Sequence, residues 1–351
     1  MAAAPPASGA AELPALAELI EGKLPSERQA QELARRAAAL FASLPVLVEV
    51  EVPAGAALHV VGDLHGQLPE LNSVLRLCGT PVAGQNILLF NGDFVDRGPC
   101  STEVVLSLFA LAIACPKAVL LNRGNHETRA MNHKYGFEQE AVFLNRGNHE
   151  TRGMNRAYGF EQEVAYKYSE ATFEAIQQAF AQLPLATLVN NSVLVMHGGL
   201  PGRDGVKLAD VAAIKRLGAD CEPRGLAHDL MWADPCQKPG LHPSPRGGDI
   251  QLFGPDITER FCDDNNLLCI IRSHEVVMNG YAWQRGGRCV TVFSAANYVG
   301  RSGNLGAVCH LRPPKGGRIQ ICDIEFTQFE GAPSPPRSAW RVVPAKERSR
   351  L

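Results

Sequence analysis

The chain has 351 residues, of which 46% are apolar and 20% are charged. This length accommodates one large domain or two small ones, and the apolar share permits a sizeable core, which argues against general disorder. The 34 basic and 36 acidic side chains nearly cancel, so net charge gives no reason to expect a protein that binds nucleic acid or a membrane surface.

The N-terminal part of the chain is predicted to be disordered at first and then helical. Residues 1–12 are small and interrupted by proline, so we expect them to be disordered. Residues 13–44 carry apolar side chains at helical spacing with a break near Pro25. This pattern predicts two helices, the second running from about Glu27 to Ala42.

Residues 45–330 are predicted to form a single α/β domain, because short β-branched or leucine-rich runs alternate there with helical patterns. The predicted strands of the alternating part are Leu58–Gly62, Asn86–Asn91, Ala118–Leu121, Ser192–Met196, Leu267–Ile271 and Arg288–Phe293. Two further runs, Gly306–Leu311 and Ile319–Phe326, follow without a helix between them and are expected to add antiparallel strands. Residues 331–351 are rich in Pro, Ser and Arg, which predicts a flexible basic tail.

The ten cysteines are scattered and form no CxxC pair. They indicate thiols in a reducing compartment, with neither a disulfide framework nor a zinc module. The longest apolar stretch, Val104 to Cys115, is too short to cross a bilayer. We therefore expect a cytoplasmic protein that binds no nucleic acid and no membrane, with a nuclear location as the alternative that the basic tail leaves open.

Almost every predicted strand ends in polar side chains that can bind a metal ion or a phosphate. The segments concerned are LHVVGDLHGQ, ILLFNGDFVDRG, LNRGNHE, VLVMHGGL, CIIRSHE and VTVFSAANY. Ligand sites of α/β folds lie at the carboxyl ends of strands. Aspartate, neutral histidine and asparagine suit two divalent cations such as Mn, Fe or Zn, which can acidify a water and clamp a phosphoryl group. The pattern predicts a binuclear metal site with arginines that bind phosphate.

These six motifs, in this order, resemble the signature of the phosphoprotein phosphatase family, a family of metal-dependent serine/threonine phosphatases. The resemblance covers about residues 45–330. It implies a metallophosphoesterase-type α/β sandwich of two mixed β-sheets flanked by helices. It also implies hydrolysis of phosphoserine and phosphothreonine by a metal-bridging hydroxide, so the expected partners are phosphoprotein substrates and regulatory proteins.

The resemblance also implies a role for each motif residue. Asp93 would be shared by the two cations, and the implied metal ligands are Asp63, His65, Asp93, Asn125 or Asn148, His197 and His274. The general acid would be His126 or His149, oriented by Asp96. The implied phosphate-binding residues are Arg97, Arg272 and Tyr298. The cofactors would be two divalent metal ions. These ions would be manganese or, as the alternative, iron/zinc.

The chain contains one direct repeat of 23 residues. Residues 118–140 and 141–163 are adjacent and differ at only four positions, and each copy carries one RGNHE motif. One metal site can use only one Asn–His pair, so 23 residues are surplus. The near-identity of the copies fits a recent duplication or two alternative exons joined in one coding sequence.

Three arrangements of the repeat are open. In the one that we favour, the second copy builds the strand, the loop and the following helix, because the first copy can leave the fold at the surface connection around residues 115–117. In a hybrid, the first copy supplies the strand and the loop, and the chain rejoins the fold at Tyr158. In the third arrangement the first copy serves throughout.

Two rival functions remain beside the phosphatase. One is a hydrolase of dinucleoside polyphosphates on the same scaffold. The segments YGFEQE and DLMWADP argue against it, because they resemble segments of protein phosphatases. The other is an inactive pseudophosphatase that only binds partners because the repeat disrupts the site. Such a protein would bind fewer than two ions.

Overall fold

The computed structural model describes residues 16–129, 131–132, 159–215, 225–247, 249–314 and 318–332. At its N-terminal end lie the helices α1 (Leu16–Ile20) and α2 (Glu27–Ala42). Helix α2 covers the residues that the apolar periodicity predicts. Ser26 caps it, since its hydroxyl accepts from the Gln29 amide and the Gln29 side chain accepts from the Ser26 amide.

In the rest of the chain strands and helices alternate only in part, because several strands follow one another without an α-helix between them. The strands are β1 (Leu47–Val50), β2 (Ala57–Val61), β3 (Asn86–Phe90), β4 (Val119–Leu121), β5 (Ala186–Val189), β6 (Val193–Met196), β7 (Asp234–Pro235), β8 (Leu241–Pro243), β9 (Gln251–Phe253), β10 (Cys269–Arg272), β11 (Tyr281–Trp283), β12 (Cys289–Val292), β13 (Gly306–Leu311) and β14 (Ile324–Phe329). The helices are α3 (Leu68–Cys78), α4 (Ser101–Ala114), α5 (Phe160–Lys167), α6 (Glu170–Phe180), α7 (Leu208–Ala212), α8 (Leu226–Trp232) and α9 (Pro255–Asp264).

Two mixed sheets form the centre of the molecule. One has the strand order β1-β5-β6-β10-β12-β11, and the other has the order β14-β13-β2-β3-β4. In the first sheet β6, β10 and β12 are parallel, and in the second β2, β3 and β4 are parallel. A small third sheet, β7-β9-β8, was not expected from the sequence.

Apolar side chains of the two large sheets pack against each other and form the central core. Leu58 and Val60 of β2 lie in the same cluster as Val195 of β6 and Ile271 of β10. Alternate side chains of the five-stranded sheet, such as Phe90, point instead to the layer of α2 to α6. Since both faces of these strands are covered, their sequences read as continuous apolar runs.

Helix α4 accounts for the longest apolar stretch of the sequence. It is buried around most of its circumference, from Ser101 to Ala112, in the layer that covers the five-stranded sheet. A helix that is apolar on all sides belongs in a core of this kind. Within the described ranges, the structure contains no helix with the length and apolar character needed to cross a membrane.

Candidate active site

The predicted metal ligands meet at one end of the two large sheets. Asp63, Asp93 and Asn125 follow the parallel strands β2, β3 and β4, whereas His197 and His274 follow β6 and β10. All five side chains are buried. The arrangement places them at the carboxyl ends of parallel strands, where α/β folds bind their ligands.

The two sheets are joined directly behind these residues. Asp63 forms a β-bridge with Phe293, and the Asn91 amide donates to the carbonyl of Met196 at 2.7 Å. A Cβ atom on Gly62 would lie 2.2 Å from the carbonyl oxygen of Val292. Only glycine therefore fits where the sheets approach each other.

Several site residues have left-handed backbone conformations. The φ angle is 43° at His65, 54° at Asp93, 64° at Asp96, 73° at Arg97 and 70° at His274. Such angles are unfavourable for residues other than glycine, and they persist only where the surrounding contacts hold them. The surrounding contacts therefore hold these loops in conformations that an unconstrained chain rarely adopts.

The first candidate cation position lies between Asp63, His65 and Asp93. The Nδ1 atom of His65 donates to the Val95 carbonyl at 3.0 Å, which turns the lone pair of Nε2 toward the cluster. That Nε2 lies 3.5 Å from Asp63 Oδ2 and 3.6 Å from Asp93 Oδ2. Three acceptor atoms thus face one another, an arrangement that a cation satisfies.

The second candidate position lies on the other side of Asp93. The Nδ1 atom of His197 donates to the Asn91 carbonyl at 2.8 Å, so its Nε2 lone pair faces Asn125 Oδ1 at 3.0 Å and Asp93 Oδ1 at 3.2 Å. The same Oδ1 atom of Asn125 also lies 2.9 Å from Nδ1 of His274. A carbonyl oxygen that faces imidazole lone pairs is again the surrounding of a bound cation.

The residues present therefore fit two divalent cations. Two groupings of potential ligand atoms, His65–Asp93–His126 and Asp93–His197–His274, share Asp93. The buried Oδ2 of Asp63 has no hydrogen-bond partner within the part of the chain that the structure describes. Carboxylate oxygen and imidazole nitrogen are the donors that hard and borderline divalent ions prefer.

The pKa values of the cluster reflect its charges. Burial raises the pKa of Asp93, but the positive charges of His197 and His126 outweigh burial and hold that pKa well below its usual value. Burial lowers the pKa of His197, but the Asp93 charge outweighs it and raises the pKa to about 9. Burial, Arg246 and His197 hold the pKa of His274 well below its usual value. The negative charge of Asp93 thus favours a positively charged group beside it. His274 is a neutral imidazole, which is the form that binds metals.

His126 and Asp96 form a hydrogen-bonded pair beside the first position. Nδ1 of His126 donates to Asp96 Oδ2 at 2.8 Å, and Nε2 faces the cluster, 4.0 Å from Asp93 Oδ2. Asp96 also accepts from the Asn132 side chain at 2.8 Å and from the Phe160 amide at 2.9 Å. An imidazole that a carboxylate orients in this way is a candidate general acid.

The loop at the site belongs to the first copy of the repeat, in contrast to the arrangement that we favoured from the sequence. Strand β4, which pairs with β3, and the residues Asn125 and His126 all come from residues 118–140. Their counterparts Asn148 and His149 lie outside the described residues. Which pair performs the chemistry stays a prediction, but the first copy occupies this place in the fold.

The connection after α4 explains this difference. The Cys115 carbonyl accepts from the amides of Ala118 and Val119, both at 2.9 Å. This tight turn leads directly into the strand of the first copy, so the surplus residues do not leave the fold there. The described chain resumes at Gly159, and α5 starts with the second copy's Phe160. The described residues therefore match the hybrid arrangement.

The surroundings of Arg272 do not support its predicted contact with phosphate. Its side chain is fully buried. Nε donates to the Gly198 carbonyl at 2.7 Å, Nη1 to Glu275 at 2.9 Å, and Nη2 to Asp234 at 2.7 Å. Each nitrogen is thus bonded to the protein, and Arg272 ties the end of β10 to its neighbours.

Arg246 is a candidate that the sequence reasoning missed. Its Nε donates to Asp234 Oδ2 at 2.6 Å, and its Nη2 donates to the carbonyl of the ligand candidate His274 at 3.2 Å. The side chain is 35% exposed, so it borders the site and still reaches solvent. The sequence signal was the pair Arg246-Gly247, which has the same form as Arg97-Gly98.

Arg97 and Tyr298, the other two predicted phosphate-binding residues, are half-buried. Arg97 directly follows Asp96 along the chain. The Tyr298 ring lies 5.1 Å from the His65 ring and packs edge-on against Phe293 at 5.4 Å. Tyr298 therefore borders the first candidate cation position.

Glu127 is a second residue that the sequence reasoning missed. Its carboxylate is fully buried and accepts from the backbone amides of Asp93, Phe94 and Gly124. Burial and the charge of Asp93 raise the pKa of Glu127 to about 7. The sequence signal was the glutamate that ends the RGNHE motif. No role was predicted for this glutamate from the sequence.

A comparison with protein-family models identifies the class of protein. The model of the calcineurin-like phosphoesterases matches residues 57–141 and 132–278, which together make up more than half of the chain. The chain belongs to this family. The two matches overlap at residues 132–141, inside the repeat region, as expected when surplus residues interrupt one domain.

Individual relatives narrow the class further. The chain is 42% identical over 290 residues to serine/threonine-protein phosphatase 5 of Arabidopsis thaliana, covering 82% of this chain and 49% of that protein. It is 40% identical over 296 residues to the Homo sapiens protein of the same name, covering 84% and 53%. The chain thus spans about half the length of these relatives.

A solved structure resembles the chain over most of both lengths. It is a protein serine/threonine phosphatase from Saccharomyces cerevisiae with similarity to human phosphatase PP5. The TM-score is 0.78 at 38% identity, and the match covers 90% of this chain and 94% of that one. This likeness confirms the predicted metallophosphoesterase fold.

Proposed function

We propose that this protein is a metal-dependent serine/threonine phosphatase that hydrolyses phosphoserine and phosphothreonine in proteins. The observation that carries the proposal is the position of the Asp93 carboxylate, 3.6 Å from Nε2 of His65 and 3.2 Å from Nε2 of His197, beside the His126–Asp96 pair. The names of the relatives support the substrate class. Phosphoproteins are the proposed substrates, and regulatory proteins are proposed as further partners.

The cofactors that we propose are two divalent ions. These ions are manganese or, as the alternative, iron/zinc. Asp93 would contact both ions, and the other proposed ligands are Asp63 and His65 for the first and Asn125, His197 and His274 for the second. When bound, such a pair of ions acidifies a water and polarises the phosphoryl oxygens.

His126 would supply the proton that the leaving group needs. Its Nε2 faces the cluster, so a proton held there can pass to the seryl or threonyl oxygen as the phosphorus–oxygen bond breaks. Asp96 keeps the Nδ1–H tautomer in place and stabilises the charged imidazole. No protein side chain needs to accept the phosphoryl group.

Arg97, Arg246 and Tyr298 would hold the phosphate. The guanidinium groups offer forked donors that match phosphate oxygens, and the phenol offers one more. Asp234 anchors Arg246, so less side-chain freedom is lost when the phosphate binds. These donors stabilise the charge that develops on the phosphoryl oxygens.

We further propose residues 45–330 as the catalytic domain, with the helices of residues 13–44 as a separate N-terminal segment and residues 331–351 as a tail. The packing of α2 against α4 and α6 supports a bracing role for the first segment. The proposed location is the cytoplasm, with the nucleus as the alternative.

A substrate panel tests the proposed function. The full chain is assayed with a phosphoserine peptide and with a dinucleoside tetraphosphate while Mn²⁺ is titrated. We expect Mn²⁺-dependent release of phosphate from the peptide and little cleavage of the dinucleotide. The opposite preference would establish the rival hydrolase, and an inert protein that binds fewer than two ions would establish the pseudophosphatase.

A further inference from the structure

The buried carboxylate of Glu127 connects the two loops that carry Asp93 and Asn125. Its Oε2 accepts from the Asp93 amide at 2.7 Å and from the Gly124 amide at 2.9 Å, and its Oε1 accepts from the Phe94 amide at 2.8 Å. One side chain thus satisfies three backbone N–H groups from two loops. Hydrogen bonds from amides to a carboxylate are about twice as strong as neutral ones.

These hydrogen bonds hold the backbone of Asp93. That residue has a φ angle of 54°, which needs support from its surroundings. The consecutive amides of Asp93 and Phe94 bind the carboxylate of Glu127. On the other side, the Asp93 carbonyl accepts from the amides of Leu64 at 3.0 Å and His65 at 2.9 Å. Asp93 is therefore fixed from both neighbouring loops.

The two loops also leave each other no space to shift. A Cβ atom on Gly124 would lie 2.4 Å from Asp93 Oδ1 and 2.8 Å from Glu127 Oε2. The His126 amide donates to the same Asp93 Oδ1 at 3.0 Å. The orientation of the Asp93 carboxylate thus depends on the loop that Glu127 holds.

We propose that Glu127 is a positioning residue that holds Asp93 in the orientation needed to contact two cations at once. The inference rests on the metal site of the proposed function, and within it the oxygens of Glu127 bind backbone amides. Its counterpart in the second copy, Glu150, has the same neighbours in sequence and is not needed for this task.

A role in fold stability alone would have different consequences. Residues behind metal ligands typically change metal affinity by about 10- to 100-fold when they are replaced. A residue that only stabilises the fold changes the folded fraction and leaves the metal affinity of the folded molecules unchanged. Metal affinity therefore separates the two roles.

The test compares Glu127→Gln with the matched control Glu150→Gln in the full, metal-stripped chain. Glutamine keeps the size but turns an NH₂ group toward backbone donors. Calorimetric titration with Mn²⁺ measures the stoichiometry and the Kd values. We expect Glu127→Gln to raise at least one Kd about 10- to 100-fold and Glu150→Gln to bind two ions as wild type does. Wild-type affinity in Glu127→Gln, or an equal loss in Glu150→Gln, would overturn the proposal.

A milder variant keeps the test decisive if Glu127→Gln does not fold. Glu127→Asp retains the charge but shortens the side chain by one methylene group, so it cannot reach all three amides. Its Mn²⁺ affinity should also fall, and wild-type affinity would again overturn the proposal. The titration measures metal binding directly and does not depend on activity. A lack of phosphatase activity would therefore count against the proposed function but would not change the conclusion about Glu127.

Discussion

Asp96 accepts hydrogen bonds from three donors at the site. Its two oxygens accept from a ring nitrogen of His126, from the Asn132 side chain and from the Phe160 amide. The first two donors belong to the first copy of the repeat and the third to the second copy. The orientation of the proposed general acid therefore depends on both copies.

Replacing Asp96 by Asn should impair the proton transfer. An amide cannot accept from all three donors, and it stabilises the charged imidazole of His126 less well. We expect kcat for a phosphoserine peptide to fall about 100- to 10,000-fold, with little change in KM. The loss should be smaller for p-nitrophenyl phosphate, because its leaving group needs no proton. An equal loss for both substrates would contradict the role of the pair.

The two arginines that contact Asp234 should have different roles, since Arg246 should affect catalysis and Arg272 should affect the stability of the fold. Arg246→Ala removes a half-exposed donor next to the site, so we expect kcat/KM for a phosphopeptide to fall about 10-fold or more, with a small change in stability. Arg272→Ala breaks a buried ion pair and should lower the free energy of unfolding by about 3–5 kcal/mol. Steady-state kinetics and urea unfolding measure the two effects, and the reverse pattern would restore Arg272 as the phosphate ligand.

Strands β2 and β13 are linked by a buried pair of histidines. Nδ1 of His59 lies 2.6 Å from Nδ1 of His310, and their Nε2 atoms lie 2.7 Å from Asn86 Oδ1 and 2.8 Å from Thr327 Oγ1. His59 donates to Asn86, so it accepts from His310 through Nδ1, and both rings are neutral in this network. A proton on each ring would place two N–H groups face to face.

This pair predicts that the protein loses stability in mild acid. Burial, followed by the charge of His59, lowers the pKa of His310 to about 4, and burial also lowers the pKa of His59. Between about pH 6.5 and pH 4 the unfolded chain binds protons that the folded chain does not, so the free energy of unfolding falls as the pH falls.

Urea unfolding across this pH range provides the measurement. His310→Gln should weaken the pH dependence by up to one proton, which corresponds to about 1.4 kcal/mol per pH unit. His242→Gln, on the small outer sheet, serves as the control. If His310→Gln has the same pH dependence as wild type, the histidine pair is not the cause.

Helix α5 is tied to the start of α4 by a buried ionic group. Glu163 accepts from the Thr102 amide at 2.7 Å and from the Ser101 amide at 3.2 Å, and it pairs with Lys167 at 2.7 Å. Lys167 also pairs with Glu103 at 2.6 Å. These contacts fix α5, whose first amide donates to Asp96.

The hybrid arrangement predicts that Glu163 and its counterpart Glu140 are not equivalent. Glu163→Gln should lower the free energy of unfolding by about 1–3 kcal/mol, because it removes a buried charge from three donors. Glu140→Gln should change it by less than about 0.5 kcal/mol. Urea unfolding of both variants measures this, and a larger effect at Glu140 would show that the first copy supplies the helix as well.

The elements that the sequence predicted are those with strong local signals. The apolar periodicity of α2 and the buried runs of β2, β3 and β6 lie close to their observed bounds. The short strands β7, β8 and β9 have no comparable signal, because two or three residues carry no period. Strand β14 begins at Ile324 and not at Ile319, since a 3₁₀ turn at Ile321–Asp323 precedes it.

Over the whole molecule, the sequence order of the motifs predicted that Asp63 and His274 would meet, because both follow parallel strands. The partners of individual side chains could not be predicted in this way. No sequence signal tells whether Arg272 or Arg246 is buried, and only the packing around Asp234 shows that Arg272 is buried and Arg246 is 35% exposed. The choice between the repeat copies had no local signal at all, because the copies are nearly identical.

We propose that the first copy of the repeat builds the active site of this chain. Mn²⁺-dependent turnover of a phosphoserine peptide by the wild type, His126→Ala and His149→Ala tests this claim most directly. We predict that His126→Ala loses at least about 100-fold in kcat, as expected for a missing general acid, and that His149→Ala keeps the wild-type rate. Loss of turnover in His149→Ala with an active His126→Ala would contradict this proposal.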